Sequence, residues 1–79
     1  MQTLMRVERR IIVEAPGLGA QIKAARESDP RSLKDIASAA NMSSMNWYRI
    51  EAEEQTLPEE TLRKIEEVLG VDFGVVFDD

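Results

Sequence analysis

The sequence predicts a small, mainly α-helical domain: a bundle of four to five helices that contains a helix-turn-helix and has a β-strand near each end of the chain. Three observations support this prediction. Apolar residues recur at helical spacing in several segments, Pro and Gly separate those segments, and both ends of the chain alternate apolar and polar residues. With 79 residues, the chain is expected to form a single domain over residues 1–79.

The composition excludes several kinds of chemistry. His and Cys are both absent, which excludes a disulfide framework, a Cys/His zinc site and His-based acid–base catalysis. We therefore expect no metal site, no cofactor and no small-molecule substrate. The longest wholly aliphatic run near the start, residues 11–13, is far shorter than the roughly 20 residues of a membrane span. We expect no membrane partner and a cytoplasmic location.

Charge is distributed unevenly along the chain, although the formal total is −5. Residues 1–50 hold eight Lys and Arg against five Asp and Glu, a net charge of +3. Residues 51–79 hold two against ten, a net charge of −8. A negative total argues against a nucleic-acid partner, but the predicted helix-turn-helix lies in the positive part of the chain.

The N-terminal part of the chain predicts one β-strand followed by a helix. Residues 6–15, RVERRIIVEA, are rich in β-branched side chains and alternate with period two. The positions on one side of this alternation are Val7, Ile11 and Val13. Pro16-Gly17 ends the strand. Apolar residues then recur at helical spacing over residues 18–27, which predicts the first helix of a helical core spanning residues 18–70.

Residues 32–51 are the most informative segment, because they predict two short helices joined by a tight turn. Ser32 is a suitable N-cap for the first of these helices. The turn is predicted at residues 41–43, Asn-Met-Ser, and either Ser43 or Ser44 can cap the helix that follows. Two helices joined in this way predict a helix-turn-helix, which can present its second helix to the major groove of DNA.

The last part of the chain predicts a fourth helix and a second strand. Residues 52–57 are polar and predict a loop. Pro58 suits the first turn of a helix, because its missing N–H leaves no hydrogen bond unmade there, and Gly70 suits the C-terminal end. Residues 71–77 alternate apolar and polar side chains, which predicts the second strand.

The two predicted strands have opposite charges, which favours pairing between them into a small sheet. Arg lies at positions 6, 9 and 10, and Asp lies at positions 72, 78 and 79. Oppositely charged cross-strand pairs contribute about 0.2–1 kcal/mol each. Because a two-stranded ribbon alone is marginally stable, we expect it either to pack on the helices or to continue across a dimer axis. A homodimer through the terminal strands is therefore expected.

The outward face of the predicted third helix offers side chains suited to DNA. Arg49 can donate two hydrogen bonds to guanine O6 and N7 or bind a phosphate. Met45 can contact a thymine methyl group, and the Tyr48 hydroxyl can reach a phosphate. Arg31 and Lys34 lie near the start of the preceding helix, where a phosphate meets positive charge and free N–H groups. With the short polar residues beside them, the candidate DNA-binding residues are Arg31, Ser32, Lys34, Ser43, Ser44, Met45, Asn46, Tyr48 and Arg49.

These side chains also have interpretations that do not involve DNA. Arg49 can pair with Glu53 four residues later, in an exposed ion pair worth about 0.3–0.5 kcal/mol. Tyr48 can cover the domain's own surface, and an exposed Met45 also suits a protein interface. Trp47, on the opposite face of the helix, is expected in the core. The residue pattern alone leaves DNA contact and these alternatives open.

The order of the segments resembles the lambda-repressor-like helix-turn-helix domain of the XRE (Cro/C1-type) family. The matching pieces, within residues 18–71 and about two thirds of the chain, are LGAQIKAAR, SLKDIASAANMS, NWYRIE and LPEETLRKIEEVLGV. The resemblance implies sequence-specific, usually dimeric DNA binding by a transcriptional regulator, and in some relatives an antitoxin that represses its own operon. It implies recognition-helix contacts at Ser43, Ser44, Met45, Tyr48 and Arg49.

The function expected from the sequence is a DNA-binding transcriptional regulator. Its recognition helix, residues 43–51, is expected in the major groove of double-stranded DNA, with the protein as a dimer. The competing hypothesis is an adaptor or antitoxin-like component with weak or no DNA binding, which binds a protein through its acidic fourth helix or through Met45 and Tyr48. An enzyme is not expected, because carboxylates on solvated helix faces lack a cleft that would shift their pKa values.

Overall fold

The computed structural model is mainly helical, with four α-helices among the described residues. The backbone is described over residues 5–8 and 12–76, and the side chains for Val7 and residues 15–76. Predictions that fall on other positions lie outside the described residues. They include the end of the second predicted strand at Phe77 and most of the charges expected to pair the two end strands.

Along the chain, two strands come first, then three helices, then a short third strand and a last helix. They are β1 (Met5–Glu8), β2 (Ile12–Ala15), α1 (Leu18–Glu27), α2 (Leu33–Ala39), α3 (Ser44–Glu51), β3 (Leu57–Pro58) and α4 (Glu59–Leu69). The mainly helical character predicted from the sequence is confirmed, and α1 has the predicted bounds.

The prediction of one continuous strand over residues 6–15 is wrong, because the chain folds back on itself there. β1 and β2 pair antiparallel, with Val7 opposite Val13, and β1 pairs parallel with β3, with Val7 opposite Leu57. The strand order is β2-β1-β3. Val7 and Leu57 are fully buried, so this small sheet fastens the N-terminal hairpin to the helices. β3 lies partly in the segment predicted as a loop. It was not predicted, because a strand of two residues has no recognisable sequence pattern.

Pairing between the two ends of the chain is also wrong for the described residues, because residues 71–76 form no strand. Gly74 has a φ of 75°, and its N–H donates to Asp72 Oδ1 at 2.8 Å. The N–H of Phe73 donates to Glu66 Oε2 of α4 at 2.9 Å. Backbone groups that a strand partner would need are thus used by a local turn and by α4.

Serine side chains cap α2 and α3 at the positions that the sequence predicts. Ser32 Oγ accepts from the N–H of Asp35, and Ser43 Oγ accepts from the N–H of Asn46, each at 3.1 Å. Of the two predicted caps for α3, Ser43 is the one used. Asn41 has a φ of 59°, a left-handed conformation that Asn tolerates. The chain therefore reverses within the predicted turn.

α4 ends at Leu69, and Gly70 follows it as the C-terminal cap, the position that the sequence predicts. Pro58 is the N-cap of this helix rather than its first residue, and Gly70 has a φ of 70°, which lets the backbone leave the helix without steric strain. Leu62 and Ile65 are fully buried and attach α4 to the core.

One hydrophobic core connects the sheet and all four helices. Its buried side chains are Val7, Leu18, Ile22, Ile36, Ala37, Ala40, Trp47, Ile50, Leu57, Leu62 and Ile65. Trp47 is the largest of them and is 0% exposed, so its predicted place in the core is confirmed. The inner face of α3 is thereby fixed against the rest of the domain.

Candidate nucleic-acid interface

α3 has a buried face and an exposed face, as its sequence predicts. Trp47 and Ile50 are buried, at 0% and 1% exposure. Positions 45, 48, 49 and 52 fall within a sector of about 100° on the other side, given about 3.6 residues per turn. All four are exposed and define what we call the exposed stripe: Met45, Tyr48, Arg49 and Ala52.

Arg49 is the only charged residue of the exposed stripe. Within the part of the chain that the structure describes, its guanidinium makes no hydrogen bond or ion pair. Glu53, the alternative partner suggested by the sequence, instead accepts a hydrogen bond from the N–H of Gly19 at 2.9 Å. As far as the described residues go, the donors of Arg49 are available to a ligand.

Glu51 anchors the end of α3 to α1. Arg26 donates from Nε to Glu51 Oε2 at 2.6 Å and from Nη2 to Oε1 at 3.0 Å. Trp47 donates from Nε1 to Glu51 Oε2 at 2.6 Å. The Arg26 and Glu51 side chains are only 15% and 5% exposed, so water weakens this pair little. The hydrogen bond to Glu51 raises the pKa of Arg26 above its already high ordinary value.

Arg26 also supports the exposed stripe directly. Its guanidinium carbon lies 5.8 Å from the centroid of the Tyr48 ring, within the range of a cation–π contact. Because Glu51 holds the guanidinium in a two-bond pair, Tyr48 packs against a fixed group. Sequence reasoning missed this arrangement, since no local pattern relates Arg26 to a helix that begins at Ser44.

A second link joins the C-terminal end of α3 to the start of α1. Glu53 has a φ of 58°, and its N–H donates to the Ile50 carbonyl oxygen at 3.0 Å, which ends the helix. Its carboxylate then reaches Gly19. A Cβ atom at position 19 would lie 2.8 Å from Glu53 Cγ and closer still to the Glu51 carbonyl oxygen. Only Gly fits this approach between the two helices.

The residues predicted to bind phosphate near the start of α2 differ in availability. Lys34 is exposed, and Ser32 can still donate its hydroxyl proton while it caps the helix. Arg31, in contrast, donates to both oxygens of Asp29, at 2.9 and 2.8 Å, and to the Val68 carbonyl oxygen at 2.7 Å. The hydrogen bond from Arg31 lowers the pKa of Asp29 to about 2. Arg31 thus ties the start of α2 to the end of α4.

The short polar residues at the start of α3 lie beside the exposed stripe, and two of them already have partners. Ser43 is the helix cap, and Ser44 is half-buried. Asn46 Oδ1 accepts from Gln55 Nε2 at 3.0 Å, and Asn46 Nδ2 lies 4.0 Å from Met42 Sδ. Asn46 therefore braces the loop after α3. The contact of Gln55 with Asn46 was not predicted, because it forms only when the loop after α3 folds back towards that helix.

The described residues offer neither a metal site nor a membrane-spanning helix. No group of three or more His, Cys, Asp or Glu side chains among them could hold a metal ion. None of their helices combines the length and apolar character needed to cross a membrane.

Comparisons with known proteins give no match. No protein-family model matches the chain, and neither a curated protein nor a solved structure matches it.

Proposed function

We propose that this protein is a cytoplasmic, DNA-binding transcriptional regulator that inserts α3 into the major groove of double-stranded DNA. The observation that supports this most strongly is the exposed stripe, where the Arg49 guanidinium has no partner among the described residues and the other face of the helix is buried. A groove about 12 Å wide admits an α-helix. The resemblance of residues 18–71 to lambda-repressor-like helix-turn-helix domains supports the same proposal.

Each part of the surface has a distinct role in this proposal. Arg49 donates two hydrogen bonds to a guanine, the commonest base-specific contact in the major groove. Lys34 and the hydroxyl groups of Ser32 and Ser43 bind phosphates beside the groove and fix the position of α3. Arg31 contributes little without rearrangement, because its guanidinium is already paired with Asp29.

The links from α3 to α1 prepare the helix for binding. The Arg26–Glu51 pair and the Glu53–Gly19 hydrogen bond hold both the direction and the end of α3. A recognition helix that is already rigid loses less conformational entropy when it binds. The smaller entropy loss favours DNA binding, which matters here because the surface offers few charged side chains to phosphates.

A homodimer remains part of the proposal, since two copies of α3 can contact two half-sites about one helical turn apart. β2 is an edge strand of the described sheet, which leaves one side of its backbone open to a strand from a second copy. We expect light scattering at high micromolar concentration to give the mass of a dimer. The mass of a monomer would contradict this part of the proposal.

The proposal is tested by selecting duplexes from a randomised DNA pool at low salt and then measuring affinity for the selected duplex. Arg49→Ala should weaken binding by about 1–3 kcal/mol, because one two-bond base contact is lost. Lys64→Ala is the matched control, since it removes a positive charge from α4 and leaves α3 unchanged. Equal affinities of the parent and Arg49→Ala would contradict the proposed contact.

The second candidate function is a protein-binding adaptor. Met45 and Tyr48 are 62% and 53% exposed, and such apolar exposure also suits a protein interface. The net charge of −8 over residues 51–79 would favour a basic partner. This candidate predicts that the parent retains no duplex from the randomised pool at low salt and captures a basic protein instead.

A further inference from the structure

We infer that the exposed stripe recognises thymine methyl groups, so that the DNA sites of this protein combine one guanine with nearby thymines. The inference rests on the proposed function and specifies its target. Met45 and Tyr48 make the methyl contacts, and Arg49 makes the guanine contact.

The composition of the exposed stripe leads to this assignment. Apart from Arg49, its side chains present mainly apolar surface, with Met45 62% and Tyr48 53% exposed. In the major groove, the thymine C5-methyl group is the distinctive apolar feature of the base edges, and apolar side chains distinguish thymine by contacting it. A helix face built from these residues therefore favours thymine over the other bases.

The amide that could have recognised adenine is already occupied. An Asn recognises adenine by accepting from N6 and donating to N7 with one side-chain amide. In this structure Asn46 Oδ1 accepts from Gln55 and Asn46 Nδ2 is directed towards Met42. Adenine recognition would have to displace these contacts, whereas methyl recognition by Met45 needs no rearrangement.

The spacing of the three side chains limits where the thymines lie. Tyr48 and Arg49 are three and four residues after Met45, and helix positions so related are neighbours, about 5–6 Å apart. Base pairs stack about 3.4 Å apart. The exposed stripe thus covers two or three successive base pairs, which places the thymines within about two base pairs of the guanine.

The expected effect of one methyl group is measurable. Burying one methyl-sized group favours binding by about fourfold. Tyr48 is packed against Arg26, which in turn is held by Glu51. Its ring is therefore already positioned, so little of this gain is lost to ordering the side chain.

The test replaces single thymines by deoxyuridine in the duplex that the parent selects from a randomised pool. Deoxyuridine pairs as thymine does and lacks only the C5-methyl group. We expect the parent to lose about fourfold in affinity at one or more thymines within two base pairs of the guanine. Met45→Ala or Tyr48→Ala should bind the unmodified duplex about fourfold more weakly and lose the sensitivity to deoxyuridine at its own position.

Val76→Ala is the matched control, since Val76 is 73% exposed and lies outside the helix-turn-helix. It should keep the affinity of the parent and its sensitivity to deoxyuridine. Circular dichroism melting verifies that Met45→Ala and Tyr48→Ala remain folded, as expected for exposed sites.

Two results overturn the inference alone: a parent that binds its selected duplex equally well with every thymine replaced, or variants that both keep the full deoxyuridine effect. A parent that selects no duplex overturns the proposed function together with the inference. Because the first two results require specific binding, the two kinds of failure are distinct.

Discussion

Gly19 is the residue on which the packing of α1 against the end of α3 depends most directly. Its N–H binds the Glu53 carboxylate, and its missing side chain leaves room for the Glu51 carbonyl oxygen. Glu53 itself has a left-handed conformation, a cost that this hydrogen bond helps to offset. A single glycine thus positions the end of the proposed recognition helix.

Gly19→Ala should lower the free energy of unfolding by about 1–3 kcal/mol, because the added Cβ must displace backbone atoms of α3. Urea unfolding followed by Trp47 fluorescence measures the change. Ala20→Ser, at the exposed neighbouring position, is the control and should change stability by less than about 0.5 kcal/mol. A Gly19→Ala variant as stable as this control would contradict the close approach of the two helices.

Asp29 predicts an acid-sensitive contribution to stability. Its pKa is lowered to about 2 from an ordinary 3.8, because Arg31 donates hydrogen bonds to its carboxylate. A group with a lower pKa in the folded state stabilises the fold above its unfolded pKa, and this contribution is lost as the pH falls through its folded pKa. The advantage of the parent over Asp29→Asn should therefore shrink between about pH 4 and about pH 2.

Chemical unfolding of both proteins across this pH range measures that advantage. Glu67→Gln, which changes a carboxylate on the exposed side of α4, is the control for general acid effects. A constant difference between the parent and Asp29→Asn from pH 5 to pH 2 would mean that Asp29 and Arg31 are not paired in solution.

At the scale of the secondary-structure elements, α3 is held in place by polar groups as well as by the core. Glu51 joins α3 to α1 through Arg26 and receives the indole N–H of Trp47. Removing one partner of such a nearly buried pair leaves the other charge without compensation. The orientation of the exposed stripe should therefore be sensitive to position 51.

Glu51→Gln should lower the free energy of unfolding by about 3 kcal/mol, because Arg26 loses its charged partner in a site with little access to water. Guanidinium chloride unfolding measures the loss. Glu60→Gln on the exposed side of α4 is the control and should change stability by less than about 0.5 kcal/mol. Equal stability of the two variants would mean that the Arg26 pair contributes nothing to the fold.

The elements that the sequence predicts well are those with local signals. Ser32 and Ser43 cap helices within one turn, and Gly70 ends α4 through its own backbone. The strands were predicted poorly because their pairing depends on distant residues. Val7 pairs with Leu57, 50 positions away, and no nearby residue signals that contact.

In the candidate site, too, features with a local sequence signal could be predicted, and contacts between distant residues could not. The exposure of Met45, Tyr48 and Arg49 could be predicted, since helical periodicity defines the face opposite Trp47. The partners of Arg31 and Asn46 could not be predicted, because Val68 and Gln55 reach them only through the tertiary fold. Of the nine predicted contact residues, Arg31 and Asn46 are thus paired with groups that the sequence pattern does not reveal.

At the scale of the whole molecule, we propose that a protein of net negative charge binds DNA through one face. α2 and α3 lie mostly in the part of the chain with net positive charge, whereas α4 and the residues after it hold much of the negative charge. Binding should therefore be confined to the α2–α3 side, because the acidic side would be repelled by phosphates.

The most direct test is to map backbone amide signals of the protein by NMR during titration with its selected duplex. We expect the largest shifts at residues 43–52 and at the start of α2, with small shifts along α4. Shifts concentrated on α4, or no shifts at low salt, would contradict this proposal.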